Sequence, residues 1–197
     1  MQAARGTSLS SDDTQSHPPL RPRSGTRLRA VFALVALAAY ALDLGTKVLA
    51  VAHLSSGPDR PLVGRLLVLH LVRNPGAAFS TGTRYTVVLS CIAFVALMVV
   101  LYLARRVGHV LWAVALGLLL AGVAGNLTDR LFRAPGPLRG HVIDFLMLPN
   151  WPVFNVADMC INVAAALILV QAFRGIRING EHTGDRDAAE RPAGEGA

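Results

Sequence analysis

The acidic side chains of this 197-residue chain are few, and their placement suggests chemistry. No glutamate precedes Glu181, and residues 14 to 180 contain five aspartates: Asp43, Asp59, Asp129, Asp144 and Asp158. Asp144 has apolar neighbours and Asp158 begins an apolar stretch, so both are expected at one depth in a region of low dielectric constant. Ionising both carboxyl groups in such a region costs much free energy, so one of them keeps its proton. A pair of this kind activates water against an amide, as in aspartic proteases, but buried acids also line proton or cation pathways.

Asp43 and Lys47 stand four residues apart, which places them on one face of a helix. One interpretation is an ion pair that lowers the cost of burying both charges. The other is a pair that faces a polar cavity and supports a site, and the two are compatible. A Ser–Lys protease would need a serine beside Lys47, and Ser80 is the candidate for this partner. The sequence supports this interpretation less than it supports a pair of catalytic aspartates.

A second polar group lies near the end of the third apolar stretch. Asn126, Asp129 and Arg130 have i, i+3 and i+4 spacing and share a helix face. Gly122 and Gly125 precede them and allow another helix to approach closely. A helix terminus with a satisfied Asp129–Arg130 pair is the simpler interpretation, and a site-lining group is the other.

Other types of site are poorly supported. The six histidines are scattered, without an H-x-x-x-H pair on an apolar stretch, so a zinc site is not expected. Cys91 and Cys160 lie inside apolar runs and are interpreted as small core-type side chains. Phosphate-loop and dinucleotide motifs do not occur. The prediction is therefore no metal and no cofactor.

The composition predicts that these residues are held in a membrane. The chain is 53% hydrophobic and only 16% charged, with a mean hydropathy of +0.47 and a net charge of +7. Nucleic-acid binding is disfavoured because the basic residues flank apolar runs. Four stretches are long enough for bilayer-spanning helices, which need about 20 residues. They cover approximately 30–54, 85–103, 110–127 and 154–173. Since three spans follow the first, a cleaved signal peptide is not expected.

Arginines suggest the orientation, because positive charge favours the cytoplasmic side. With four spans, three basic groups fall on one side: Arg21, Arg23, Arg27 and Arg29; Arg105 and Arg106; Arg174 and Arg177. Both termini are then cytoplasmic, although the two outer segments, 55–83 and 131–153, also carry arginines. The expected fold is an all-α integral membrane protein with four transmembrane helices and a small strand-bearing extracytoplasmic segment.

The first outer segment contains an apolar run over 66–72 followed by the turn residues Asn74-Pro75-Gly76, which predicts a strand. The second is apolar over 142–148 and is expected to return toward the membrane. Polar residues 1–26 and 178–197 are predicted to be disordered cytoplasmic tails around a membrane domain at 27–177.

Five motifs in order resemble those of one family, the bacterial lipoprotein signal peptidases (signal peptidase II), which are aspartic peptidases of the inner membrane. They are DLGTK at 43–47, NPGAAF at 74–79, AGVAGNLTDR at 121–130, VIDF at 142–145 and FNVAD at 154–158. Ala121 stands where the family has its first glycine of the third motif, and residues 134–138 look like an insertion.

The resemblance implies a role for each matched residue. Asp144 and Asp158 correspond to the catalytic dyad, and Asp129 is an acid that competes with Asp144 for this assignment. Asp144 is preferred because Arg130, adjacent to Asp129, is expected to keep Asp129 ionised and structurally occupied. The polar residues implied to line the site and contact substrate are Asn74, Asn126, Arg130 and Asn155. Asp43 and Lys47 are implied to support the site.

The substrate that the resemblance implies is a prolipoprotein whose cysteine carries a diacylglyceryl group, cleaved on the amino side of that cysteine. The other expected partner is the lipid bilayer, and the protein is expected to be a monomer that does not bind nucleic acid. A small transporter and a non-catalytic scaffold are the rival functions. Transport sites lie near the bilayer midplane, whereas Asp144 and Asp158 are predicted near span ends.

Overall fold

A computed structural model describes residues 24–76 and 85–183. Four helices account for most of this range: α1 (Ser24–Leu54), α2 (Thr86–Ala104), α3 (Val110–Phe132) and α4 (Val156–Phe173). Each is long and apolar enough to cross a membrane. The prediction of four helices able to span a membrane is therefore confirmed.

The helices differ from the predicted spans mainly at their ends. α1 begins at Ser24, inside the predicted tail 1–26, and the rest of that tail lies outside the described residues. α3 continues to Phe132, so Asp129 and Arg130 belong to its last turn. α3 contacts α1, α2 and α4 and occupies the centre of the bundle.

Three strands form an antiparallel sheet at one end of the bundle: β1 (Arg60–Val63), β2 (Leu67–Asn74) and β3 (Val142–Met147), in that order. β2 confirms the strand that was predicted within residues 55–83. The apolar run 142–148, predicted to return toward the membrane, forms β3 and pairs with β2. The pairs Val72↔Asp144 and Asn74↔Val142 fix the register beside the polar residues.

The sheet is anchored on α1 through apolar contacts. Ile143 and Phe145 of β3 pack with Ala50 and Leu54 of α1 in a small core. Because successive residues of a strand point to opposite faces, Asp144 between them is directed away from this core. Alternate side chains of β3 therefore lie on opposite faces, with Ile143 and Phe145 against α1 and the Asp144 carboxylate on the other side.

At the other end of the bundle a second apolar core includes Trp112 and Ile176. After α4 the chain turns back, and Ile176 pairs with His182 in an isolated bridge. The predicted tail 178–197 begins within this turn, and residues 184–197 lie outside the described part of the chain.

Candidate active site

Asp144 is held by two carboxamides from different parts of the chain. Asn74, the last residue of β2, donates from Nδ2 to Asp144 Oδ2 at 2.8 Å. Asn155 donates from Nδ2 to Asp144 Oδ1 at 2.6 Å. The sheet register explains the first contact, because Asn74 and Asp144 are diagonal neighbours on one face of the β2–β3 pair.

Asp158 is fixed by the beginning of α4. Asn155 is the N-cap, and its Oδ1 accepts from the Asp158 backbone N–H at 2.9 Å. Asp158 Oδ2 accepts in return from the Asn155 backbone N–H at 3.2 Å, which completes a capping box. Asn126 Nδ2 donates to Asp158 Oδ1 at 2.8 Å. Helix capping and site geometry therefore depend on the same side chains.

Asn155 connects the two carboxylates. Its side-chain amide donates to Asp144 and also to Asn126 Oδ1, at 3.2 Å, while Asn126 donates to Asp158. Both N–H groups of this carboxamide are thus used, and its oxygen caps α4. The strand β3 is brought to α4 by Phe154, which precedes Asn155 and pairs with Leu146.

A fully buried lysine lies behind these residues. Lys47 Nζ is 2.9 Å from both Asp43 Oδ2 and Asp129 Oδ2, and it donates to Asn126 Oδ1 at 3.0 Å. The ammonium group therefore contacts two carboxylates and one carboxamide oxygen. The predicted Asp43–Lys47 pair is present, and Asn126 links it to Asp158.

The two flanking carboxylates connect this pair to the rest of the fold. Asp43 Oδ1 accepts from the Ala157 backbone N–H at 2.8 Å, at the start of α4. Asp129 Oδ2 accepts from the Ile143 backbone N–H at 3.2 Å, in β3 next to Asp144. The ionic network therefore fixes the backbone beside each of the two candidate catalytic aspartates.

The expected pairing of Asp129 with Arg130 is wrong. Asp129 Oδ1 pairs with Nε of Arg133 instead. Neighbouring helix residues point about 100° apart, whereas residues four apart share a face. The i, i+4 spacing that identified the Asp43–Lys47 pair was also the available signal for Arg133, which the sequence interpretation missed.

Arg130 forms no direct ion pair with Asp129 but lies within electrostatic reach of Asp144, Asp129 and Asp158. Its Nη1 is buried and has no hydrogen-bond partner among the described residues. A guanidinium group whose Nη1 is unpaired within the described ranges therefore stands beside the two carboxylates.

The two aspartates open on a cavity of about 410 Å³. Its walls include Asn74, Trp151 and Asn162, the last two of which the sequence interpretation had not singled out. Burial, and next the charge of Asp158, raise the pKa of Asp144 to about 6 against the effect of its Asn74 and Asn155 hydrogen bonds. The cavity therefore contains a carboxyl group that changes protonation near neutral pH.

The structure gathers all nine predicted site residues into one connected region: Asp43, Lys47, Asn74, Asn126, Asp129, Arg130, Asp144, Asn155 and Asp158. Residues 77–79 of the second motif and Ser80 lie outside the described residues. Within residues 24–76 and 85–183, no group of three or more His, Cys, Asp and Glu side chains is arranged to hold a metal ion.

Two structures titled as a bacterial membrane enzyme solved by the in meso method, at 2.3 and 1.9 Å, share the fold with TM-scores of 0.66 and 0.65. Each is 24% identical and covers 74% of this chain; the chain covers 89% and 94% of them.

Sequence relatives are closer. A lipoprotein signal peptidase of Leifsonia xyli is 42% identical over 97% of this chain and 90% of its own length. Those of Mycobacterium avium and Streptomyces griseus are 47% and 45% identical, over 82% and 80% of this chain and 85% and 81% of their own lengths. The family model of signal peptidase (SPase) II matches residues 35–174. This chain, with four helices able to span a membrane, belongs to the signal peptidase II family of aspartic peptidases.

Proposed function

We propose that Asp144 and Asp158 are the catalytic dyad with which this peptidase removes signal peptides from diacylglyceryl-modified prolipoproteins. Cleavage falls on the amino side of the lipid-modified cysteine. The observation that carries this assignment is that the two carboxylates line one cavity and are joined through the side-chain amides of Asn155 and Asn126.

The dyad works with one proton shared between its members. The raised pKa of Asp144 favours the protonated form on this residue, and the Asp158 carboxylate is then the base. Asp158 takes a proton from water, the resulting hydroxide attacks the scissile carbonyl carbon, and Asp144 protonates the carbonyl oxygen. The C–N bond then breaks as Asp158 returns its proton to the amine and Asp144 recovers its own from the tetrahedral intermediate.

The surrounding polar groups orient the dyad and the substrate. Asn74, Asn126 and Asn155 hold the carboxylate oxygens in fixed directions. Nη1 of Arg130, which has no hydrogen-bond partner within residues 24–76 and 85–183, is available to a substrate carbonyl oxygen as negative charge develops on it. Asp43 and Lys47 support the site from behind through Asn126.

Asp129 is assigned a structural role. Lys47 and Arg133 engage its two oxygens, and the Ile143 backbone N–H donates to one of them. This arrangement leaves the carboxylate little freedom to handle a substrate proton. Asp144, which accepts only carboxamide hydrogen bonds among the contacts described, is the better acid.

The sheet end of the bundle is assigned to the outer face of the cytoplasmic membrane, and both termini to the cytoplasm. The arginines that flank the other helix ends support this orientation. The lipid-modified cysteine keeps its acyl chains in the outer leaflet, so its scissile amide reaches a site at this depth. The membrane domain at 27–177 acts as a monomer, and the polar segments 1–26 and 178–197 are cytoplasmic.

The position of the dyad argues against the transporter alternative. Asp144 belongs to the sheet, and Asp158 to the first turn of α4. Both therefore lie at the end of the bundle, whereas transport sites form near the bilayer midplane.

The decisive experiment compares Asp144→Asn, Asp158→Asn and the control Asp59→Asn with the unmodified protein. A diacylglyceryl-modified prolipoprotein is added in detergent and cleavage is followed by gel shift. Both dyad variants should be inactive yet still fold and unfold cooperatively, because each preserves the side-chain shape and loses only one of the two hydrogen bonds to its oxygens. Asp59 is exposed and bonded to His70 in the sheet, so its variant should cleave normally. Cleavage by Asp144→Asn would transfer the assignment to Asp129.

A further inference from the structure

A groove separate from the dyad runs between α1 and the sheet. Its apolar walls are Leu49, Ala50 and Leu54 of α1, with Leu69 of β2 and Phe145 of β3, and its volume is about 350 Å³. We call it the α1 groove. Phe145 follows Asp144 in β3 and points to the opposite face. The strand itself therefore separates the α1 groove from the cavity of the dyad.

The inner wall of the groove presents no unused polar group. Thr46 contributes to it, but its hydroxyl donates to the Leu42 and Asp43 carbonyl oxygens of its own helix, at 2.8 and 2.9 Å. Such a wall suits a hydrocarbon chain, because no hydrogen bond is lost when the chain replaces water.

The rim of the groove is cationic. Arg60 contributes an exposed guanidinium group and makes no ion pair with any residue in the described ranges. His53 stands beside it, with Nδ1 donating to the Leu49 carbonyl oxygen at 2.9 Å. Asp59, the acid next to Arg60, is bonded to His70 at 2.7 Å. A negatively charged group at the rim would therefore meet a guanidinium group that forms no ion pair within residues 24–76 and 85–183.

The depth of the groove agrees with lipid as its occupant. α1 has 31 residues and is about 46 Å long, more than the roughly 30 Å of a hydrocarbon core. Its last turns, which line the groove, therefore reach the membrane interface. Strand β1 also exposes Leu62 and Val63, by 58% and 56%. An apolar strand at this level is suited to lie against lipid.

We propose that the α1 groove binds one anionic phospholipid of the surrounding leaflet. An acyl chain lies along Leu49 and Phe145, and the phosphate group meets Arg60 at the rim. The site differs from the substrate cavity in position, and its occupancy does not depend on the dyad.

Native mass spectrometry of the whole protein in detergent tests this proposal. The delipidated protein is titrated with phosphatidylglycerol or with phosphatidylcholine of the same acyl chains. We expect one tightly retained phosphatidylglycerol per chain and weaker retention of phosphatidylcholine. Arg60→Gln should weaken phosphatidylglycerol binding about fivefold, the effect of one basic side chain near an anionic headgroup. Arg65→Gln, in the hairpin turn outside the groove lining, should not.

Three results would overturn the proposal. Equal retention of the two lipids would remove the role of charge at the rim. Unchanged phosphatidylglycerol binding by Arg60→Gln would place the lipid elsewhere. A mass of two chains without lipid would identify a second copy of the protein as the occupant. Since the readout is a mass, each result is independent of whether the dyad assignment holds.

Discussion

The protonation of Asp144 makes a direct prediction about pH. Its raised pKa of about 6 means that the carboxyl group is protonated below this pH and ionised above it. Because the dyad needs one proton, kcat/KM of the free enzyme should fall as the pH rises through about 6. The Asn74 amide stabilises the ionised form, so Asn74→Ala should raise the pKa of Asp144 further and move the alkaline limb to higher pH.

The measurement is the pH dependence of kcat/KM for both proteins. Asn179→Ala, at the opposite end of the bundle, serves as a control and should keep the parent profile. An alkaline limb that does not move in Asn74→Ala would separate this limb from Asp144.

Lys47 gives a second prediction at the scale of a residue. Lys47→Met leaves the buried Asp43 carboxylate without its cation, whereas Asp129 retains Arg133. Removing one partner of a buried ion pair costs about 3–5 kcal/mol. The variant should therefore unfold at a clearly lower temperature in detergent, and its activity should fall because Asn126 loses a hydrogen-bond donor.

The double variant Asp43→Asn, Lys47→Met isolates the cause. It removes the unpaired charge and should recover much of the lost stability, although not the hydrogen bond to Asn126. If Lys47→Met alone unfolds at the same temperature as the parent, the network does not contribute to stability as the geometry indicates.

At the scale of elements, the site depends on how closely α3 approaches its neighbours. A Cβ atom at Gly125 would overlap the Asp43 carboxylate of α1 and lie 3.3 Å from Ala157 Cβ of α4. Gly125→Ala should therefore destabilise the protein by about 1–3 kcal/mol, the usual cost of overpacking, and lower its activity. Gly45→Ala is the matched control, because a Cβ there meets nothing within 4 Å and alanine favours a helix by about 1 kcal/mol. Unfolding temperatures of the two variants that shift in the same direction would contradict the role of close approach.

The sequence predicted the helices better than the contacts between distant segments. Spans were recognisable because a bilayer requires a long apolar run, and Gly122 and Gly125 correctly indicated a close helix contact. The pairing of β2 with β3 was not predictable from local pattern, since the Asn74–Asp144 contact joins residues 70 positions apart. Arg133 was missed because an adjacent arginine, Arg130, offered a simpler partner for Asp129 in the sequence.

At the scale of the whole molecule, the site is a product of the complete bundle. β2 supplies Asn74, α3 supplies Asn126, β3 supplies Asp144, and α4 supplies Asp158. Lys47 of α1 joins them from behind. All of these groups lie at the sheet end, so the orientation of the bundle decides on which side of the membrane substrates are cut.

That orientation leads to the last prediction, which concerns accessibility from outside the cell. After Cys91 and Cys160 are replaced by serine, Leu66→Cys in the β1–β2 turn should react with a membrane-impermeant thiol reagent in intact cells, since Leu66 is 62% exposed at the sheet end. Arg177→Cys, beyond α4 at the other end, should react only after the membrane is permeabilised. Retained cleavage of prolipoprotein by each variant is the control for folding. The opposite pattern, with position 177 labelled in intact cells and position 66 protected, would place the dyad on the cytoplasmic side. The diacylglyceryl-modified cysteine would then have to cross to the inner leaflet before cleavage, and the proposed route of the substrate would be wrong.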